Sequence, residues 1–124
     1  MSPTKSEVGV WGEDLASRYL VDHGFVIRAR NWRHGHGEID IVAEHDGVIV
    51  FVEVRTRRSD TYGAPEESVR AAKQAKLIET AQAFLDVNGL SDVQWQIDFV
   101  AVELDARNAV RRIDHIPCAI SQPS

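Results

Sequence analysis

The chain has 124 residues, enough for one domain with a real core but too few for two. Its 44% hydrophobic and 27% charged residues are those of a soluble globular protein, and the single cysteine, Cys118, excludes a disulfide framework or a cysteine-based zinc site. A formal net charge of −5 speaks against a nonspecific duplex binder with cations spread over its whole surface.

The polar start MSPTKSE has no apolar signal core, so a cytoplasmic protein is expected, with a single domain over 1–124, an ordered core over about 6–117 and flexible tails at 1–5 and 118–124. No apolar run approaches the ~20 residues of a membrane span, and no membrane partner is expected. Ser6 to His23 reads as a helix with Val8, Trp11, Leu15 and Tyr19 at helical steps, ended by Gly24. Phe25 to Asn31 reads as a strand and Trp32 to Gly37 as a loop. Glu38 to His45 and Val48 to Thr56 form strands around Asp46-Gly47, a two-residue hairpin signal. After a polar stretch, Pro65 opens a helix that runs to about Asn88, with Gly89 ending it. Val93 to Leu104 alternates as a long strand, and Val110 to Ile116 is a short last one. The order α-β-β-β-α-β-β implies a mixed sheet in which the strand after the second helix runs parallel to the third.

A two-residue turn at Asp46-Gly47 pairs His45 with Val48, Ala43 with Val50, and Asp40 with Glu53. Glu38 and Arg55 form the next pair outward. One hairpin face is then wholly apolar (Ile39, Ile41, Ala43, Val50, Val52, Val54) and belongs on the core. The other face ends in Asp40, Glu53, Glu38 and Arg55. Like charges opposed across a strand pair destabilise it unless solvent or a cation intervenes. Two carboxylates there suit Mg²⁺ or Mn²⁺, which accept one or two carboxylates plus water and phosphate. An outward-facing pair of hydrated acids with a Glu38–Arg55 surface ion pair is the alternative.

The second helix carries a stripe through Leu77, Ala81, Phe84 and Asn88 that turns polar backwards through Gln74, Lys73 and Arg70. That is the pattern of a helix leaving the core at the rim of a polar cleft, or of Lys and Arg stems covering a sheet edge. Arginines cluster at Arg28, Arg30 and Arg33, and again at Arg55, Arg57 and Arg58, so a basic face on an acidic protein is compatible with the sequence. Trp32 among the first cluster could stack on a base or pack a strand end. His34 and His36 could ligate a metal with Glu38 or His45, or contact phosphate from a solvated loop. Asp98 is read as structural, and Cys118, with apolar neighbours, as a buried thiol.

Five blocks in order, "GEDLASRYLVDHGFVIRARNWR", "GEIDIVAE", "FVEVRTR", "YGAPEESVRAAKQAKL" and "QIDFVAV", resemble the YraN-type bacterial endonuclease-like proteins of the PD-(D/E)xK nuclease superfamily, distantly similar to archaeal Holliday junction resolvases. The resemblance implies a restriction-endonuclease-like αβββαβ core with a mixed central sheet flanked by helices. It implies Mg²⁺ or Mn²⁺ held by Asp40 and Glu53 with help from Glu13. Arg55 stands at the motif lysine, and Gln74 matches a helix position contacting water or phosphate. The implied partner is DNA, branched or otherwise structured, with contacts from Arg30, Arg33, His36, Arg57, Arg58, Arg70 and Lys73; a homodimer follows by analogy with resolvases. Ile39 replaces the motif proline. Arg55 replaces the usual lysine, and an arginine stays protonated, able to orient water or offset phosphate charge but not to take a proton. A non-catalytic module binding nucleic acid or protein is therefore the alternative function.

Overall fold

The computed structural model describes residues 5–58 and 71–121. Helix α1 (Lys5–Asp22) leads into strands β1 (Val26–His34), β2 (Gly37–His45) and β3 (Val48–Arg58); helix α2 (Ala71–Val87), β4 (Trp95–Leu104) and β5 (Val110–Ser121) follow. The five strands lie in the order β1-β2-β3-β4-β5. Only β3 and β4 are parallel, joined across α2 as the sequence implies. The architecture is the expected α/β one, a mixed sheet with a helix on each face. No helix among the described residues is long and apolar enough to cross a membrane. Pro65, Glu66, Glu67 and Arg70, from the expected start of the second helix, lie outside the described residues.

Asp46 and Gly47 both have positive φ (51° and 80°), the backbone of a two-residue turn that matches strand twist. The turn fixes the expected register from His45↔Val48 to Ile41↔Val52. Both helices end in paired hydrogen bonds: Phe25 N–H to Leu20 O and Gly24 N–H to Val21 O for α1, Leu90 N–H to Leu85 O and Gly89 N–H to Asp86 O for α2.

Two clusters sandwich the sheet. Under α1, Ala16 and Leu20 bury Ile41, Ala43, Val50, Val52, Val100, Val102 and Leu104. Under α2, Leu77, Ala81, Phe84 and Leu85 bury Val42, Ile49, Phe51, Trp95, Ile97 and Phe99. Neither hairpin face is left to solvent, and Ile39 joins the α2 cluster rather than the α1 face that strict alternation gives it. The reason lies at Asn31, which has φ 53° and sits across from Asp40, between the Arg30↔Ile41 and Trp32↔Ile39 pairs. That left-handed residue turns the strand pair over, so side chains beyond it swap faces. Two other expectations change. Trp11 is exposed on α1 beside Val10 instead of buried. The span read as a loop after Asn31 continues β1 to His34, with Trp32 packed edge-on against Phe84.

Strand β5 extends past Ile116 to Ser121 because Asp98 holds a bulge in it. Ile97↔Ile120 and Phe99↔Ile116 bracket the extra residues. Fully buried Asp98 accepts the Cys118 N–H at 2.9 Å, the Gln96 amide at 2.8 Å and His115 Nε2 at 2.6 Å. Cys118 has φ 53° at the bulge, which turns its thiol outward; it is exposed, not the buried thiol expected. Asp98 is thus structural, as read, but on a buried site rather than a polar face. Asp98→Ala would strand His115 and the Cys118 N–H together. It should cost about 3 kcal/mol in urea unfolding; a loss below ~1 kcal/mol would show that the bulge holds without the carboxylate.

Candidate functional site

The β2–β3 ladder stops at Ile41↔Val52, one residue short of Asp40 and Glu53. Beyond it the Val54 N–H donates to Asp40 Oδ2 at 2.8 Å, a side-chain carboxylate replacing a backbone acceptor. The strands part there, and an open cleft of about 740 Å³ lies between them and the two helices. Asp40, Glu53, Val54, Arg55, Thr56, Arg57 and Arg58 line its floor and wall. Glu13 enters from α1, Lys73 and Lys76 from α2, His36 from the β1–β2 turn and Glu38 from the start of β2.

Two glycines let the helices come this close. A Cβ on Gly12 of α1 would drive into the Thr56 side chain, and one on Gly37 of β2 would drive into Thr80 of α2. With larger residues at either position the helices would stand off the sheet and carry Glu13 and Lys73 away from the acidic pair.

Glu53 is buried, and two cations answer it: Lys73 Nζ at 3.0 Å and Arg55 Nε at 3.8 Å from the same Oε1. Arg55 Nε and Nη2 are buried and donate no hydrogen bond among the described residues. Among the described residues, Asp40 has no cation paired with it. Burial first, then the Glu53 charge, push its carboxyl up to about 8; Glu13 and Glu38 add to the effect and the Val54 N–H opposes it. Burial also raises Glu13 above the usual carboxylate range, against the pull of Asn31 and Arg30.

Of the residues singled out in the sequence, Glu13, Asp40, Glu53, Arg55, His36, Arg57, Arg58 and Lys73 meet at the cleft. Gln74 is half-buried and outside the lining; its neighbour Lys73 makes the contact instead. Arg30 is tied to Asp14 at 2.8 Å and to Glu13 at 3.6 Å, and Arg33 to Glu38, so both pair with acids at the cleft without lining it themselves. The expected Glu38–Arg55 pair does not form, because the strands have already separated and Glu38 faces Arg33 across β1–β2. Arg70 lies outside the described residues. Lys76, which the sequence showed only as part of a basic run, also lines the cleft.

Among the described residues, no three His, Cys, Asp or Glu side chains gather closely enough to hold a metal ion by themselves. His34 stacks on Trp32, His45 stacks on Phe25 at the far end of β2, and Glu38 pairs with Arg33, so among the described residues His34 and His36 gain no third donor. Asp40 and Glu53 fit a dication differently. They offer two hard carboxylates in a site where burial, and then the Glu53 charge, raise Asp40, with the remaining positions open to water and phosphate.

The family model described as "Uncharacterised protein family UPF0102" matches residues 12–116. The chain is 46% identical over 123 residues to a UPF0102 protein of Roseiflexus castenholzii, covering 98% of this chain and 99% of that one. It is 40% identical over 119 residues to a UPF0102 protein of Syntrophotalea carbinolica (96% and 95%) and 43% identical over 108 residues to one of Chloroherpeton thalassium (86% and 84%).

The Asp40 environment has a pH consequence whose sign is fixed. Its folded value of about 8 exceeds the ordinary 3.8, so between those values the folded chain holds a proton that the unfolded chain has released. Stability from this group therefore falls as pH rises through the window. Asp40→Asn keeps an acceptor for Val54 N–H and removes the titration. The variant's advantage in melting temperature should widen from pH 5 to pH 8.5, by about 4 kcal/mol equivalent. A gap that stays constant with pH would mean Asp40 is ionised throughout.

Proposed function

The chain belongs to the uncharacterised protein family UPF0102, and on that premise we propose that it is a divalent-metal-dependent endonuclease hydrolysing phosphodiesters in DNA, branched or otherwise structured. The observation that carries this reading is the pairing of an acidic couple, half-buried Asp40 and buried Glu53, with a cationic wall of Arg55, Arg57, Arg58, Lys73 and Lys76 in one cleft. Acidic side chains alone suit many cations; acids backed by guanidinium and ammonium groups suit a cation together with a phosphate.

Asp40 and Glu53 are the residues that would hold Mg²⁺ or Mn²⁺, with Glu13 at its margin. When bound, such an ion supplies a Lewis acid for a phosphate oxygen and a more acidic water. The chain's own groups do the rest. Arg55, with buried N–H donors free of hydrogen-bond partners among the described residues, orients a phosphate oxygen and offsets charge as the phosphorus becomes five-coordinate. Arg57 and Arg58 continue the same strand and follow the backbone of the nucleic acid. Glu13, its carboxyl raised by burial, stands at the margin of the same acidic pair. A homodimer would place two such clefts on the two scissile strands of a junction.

A second reading, a nuclease fold that binds nucleic acid or a protein without turnover, is favoured by Arg55 itself. A guanidinium cannot take the proton of attacking water as a lysine can. The two readings separate in one assay, with purified chain, branched and linear DNA, and Mg²⁺ or Mn²⁺. Cleavage that stops with chelator and falls by at least ~100-fold in the Asp40→Asn/Glu53→Gln double variant is expected. Binding without cleavage, unchanged by Arg55→Lys, supports the module; cleavage surviving the double variant overturns the assignment of the acidic pair.

A further inference from the structure

Lys73 occupies the Glu53 oxygen that an incoming cation needs. It projects from the first turn of α2 on a flexible four-carbon stem, 43% exposed, and places Nζ 3.0 Å from Oε1 of a carboxylate only 8% exposed. The ammonium thus neutralises Glu53 without closing the cleft. A dication and an ammonium on one carboxylate oxygen repel each other, so filling the site requires Lys73 to leave. A phosphate oxygen arriving in the same cleft offers the ammonium an anionic acceptor within reach of its stem. Arg55, half-buried and more weakly placed on Glu53 at 3.8 Å, has no comparable freedom.

We propose that Lys73 is a positioning residue coupling phosphate binding to metal binding: it sits on Glu53 in the metal-free protein and moves to a phosphodiester oxygen when nucleic acid enters, releasing Glu53. The inference rests on the metal-dependent reading above and adds a linkage to it. Because coupling is reciprocal, DNA tightens the metal and the metal tightens DNA by the same factor. A lysine present only for structure would behave in the opposite sense, since its loss would loosen the acidic pair and weaken the metal.

Calorimetric titration of Mn²⁺ tests this, on the wild-type chain, Lys73→Met and Lys73→Arg, each alone and with a saturating phosphorothioate duplex that resists hydrolysis. Without the duplex, Lys73→Met should bind Mn²⁺ about tenfold more tightly than wild type, and Lys73→Arg should stay near wild type. The duplex should tighten wild type about five- to tenfold and leave Lys73→Met unchanged. Wild-type binding with Lys73→Met equal or weaker, or a duplex effect of equal size in both, overturns the coupling and leaves the nuclease reading standing. Mn²⁺ binding by none of the three, with or without the duplex, overturns both.

Discussion

Between Asp40 and Val54 a carboxylate does what a backbone carbonyl does elsewhere in the sheet. A strand pair held by backbone groups alone would run on and keep Glu53 pressed against its neighbour. Here the 2.8 Å bond to a side chain ends the ladder and still satisfies the Val54 N–H, so the strands can part without leaving an orphan donor. That parting makes room for two helices to reach the same point from opposite faces, Glu13 from α1 and Lys73 from α2. The close approaches at Gly12 and Gly37 hold both helices to it.

The electrostatics follow from the same opening. A chain of net charge −5 has no cationic total field, so any positive potential has to be local. The strand beyond the break supplies it with Arg55, Arg57 and Arg58, and α2 adds Lys73 and Lys76. The arginines of β1 answer nearby acids instead: Arg28 pairs with Glu44 at 2.6 Å and Arg30 with Asp14 at 2.8 Å. Gathering five cations at the cleft, while those of β1 lie against acids of β2 and α1, gives an acidic protein a cationic wall there.

What the sequence made legible followed from strong local rules. Asp46-Gly47 set the hairpin register, the α-β-β-β-α-β-β order set the parallel β3–β4 pair, and the opposed acids marked the cleft. The misplacements trace to residues whose backbone departs from their type's preference. Asn31 and Cys118 both adopt positive φ, one turning Ile39 to the other face and the other carrying β5 around a bulge. Alternation counts assume a regular strand, so neither event is visible in them. Asp98 looked like a polar-face residue because its partners, His115 and the Cys118 N–H, lie 17 and 20 positions away in the chain. Lys73 and Gln74 are adjacent on one helix, and only the pitch of α2 over β3 decides which of them touches Glu53.

The bulge at Cys118 also bears on how the molecule keeps to itself. An open five-stranded sheet has two free borders, and an exposed border is a template on which another chain can add a strand. Pro117 has no N–H to offer there, and the Cys118 N–H is turned inward to Asp98, so two successive positions of β5 give a newcomer no donor. At the other border, β1 is interrupted by the left-handed Asn31 and lined with charged arginines. Both rims are therefore poor seeds for sheet growth, and the fold can keep an open sheet without inviting fibrous self-association.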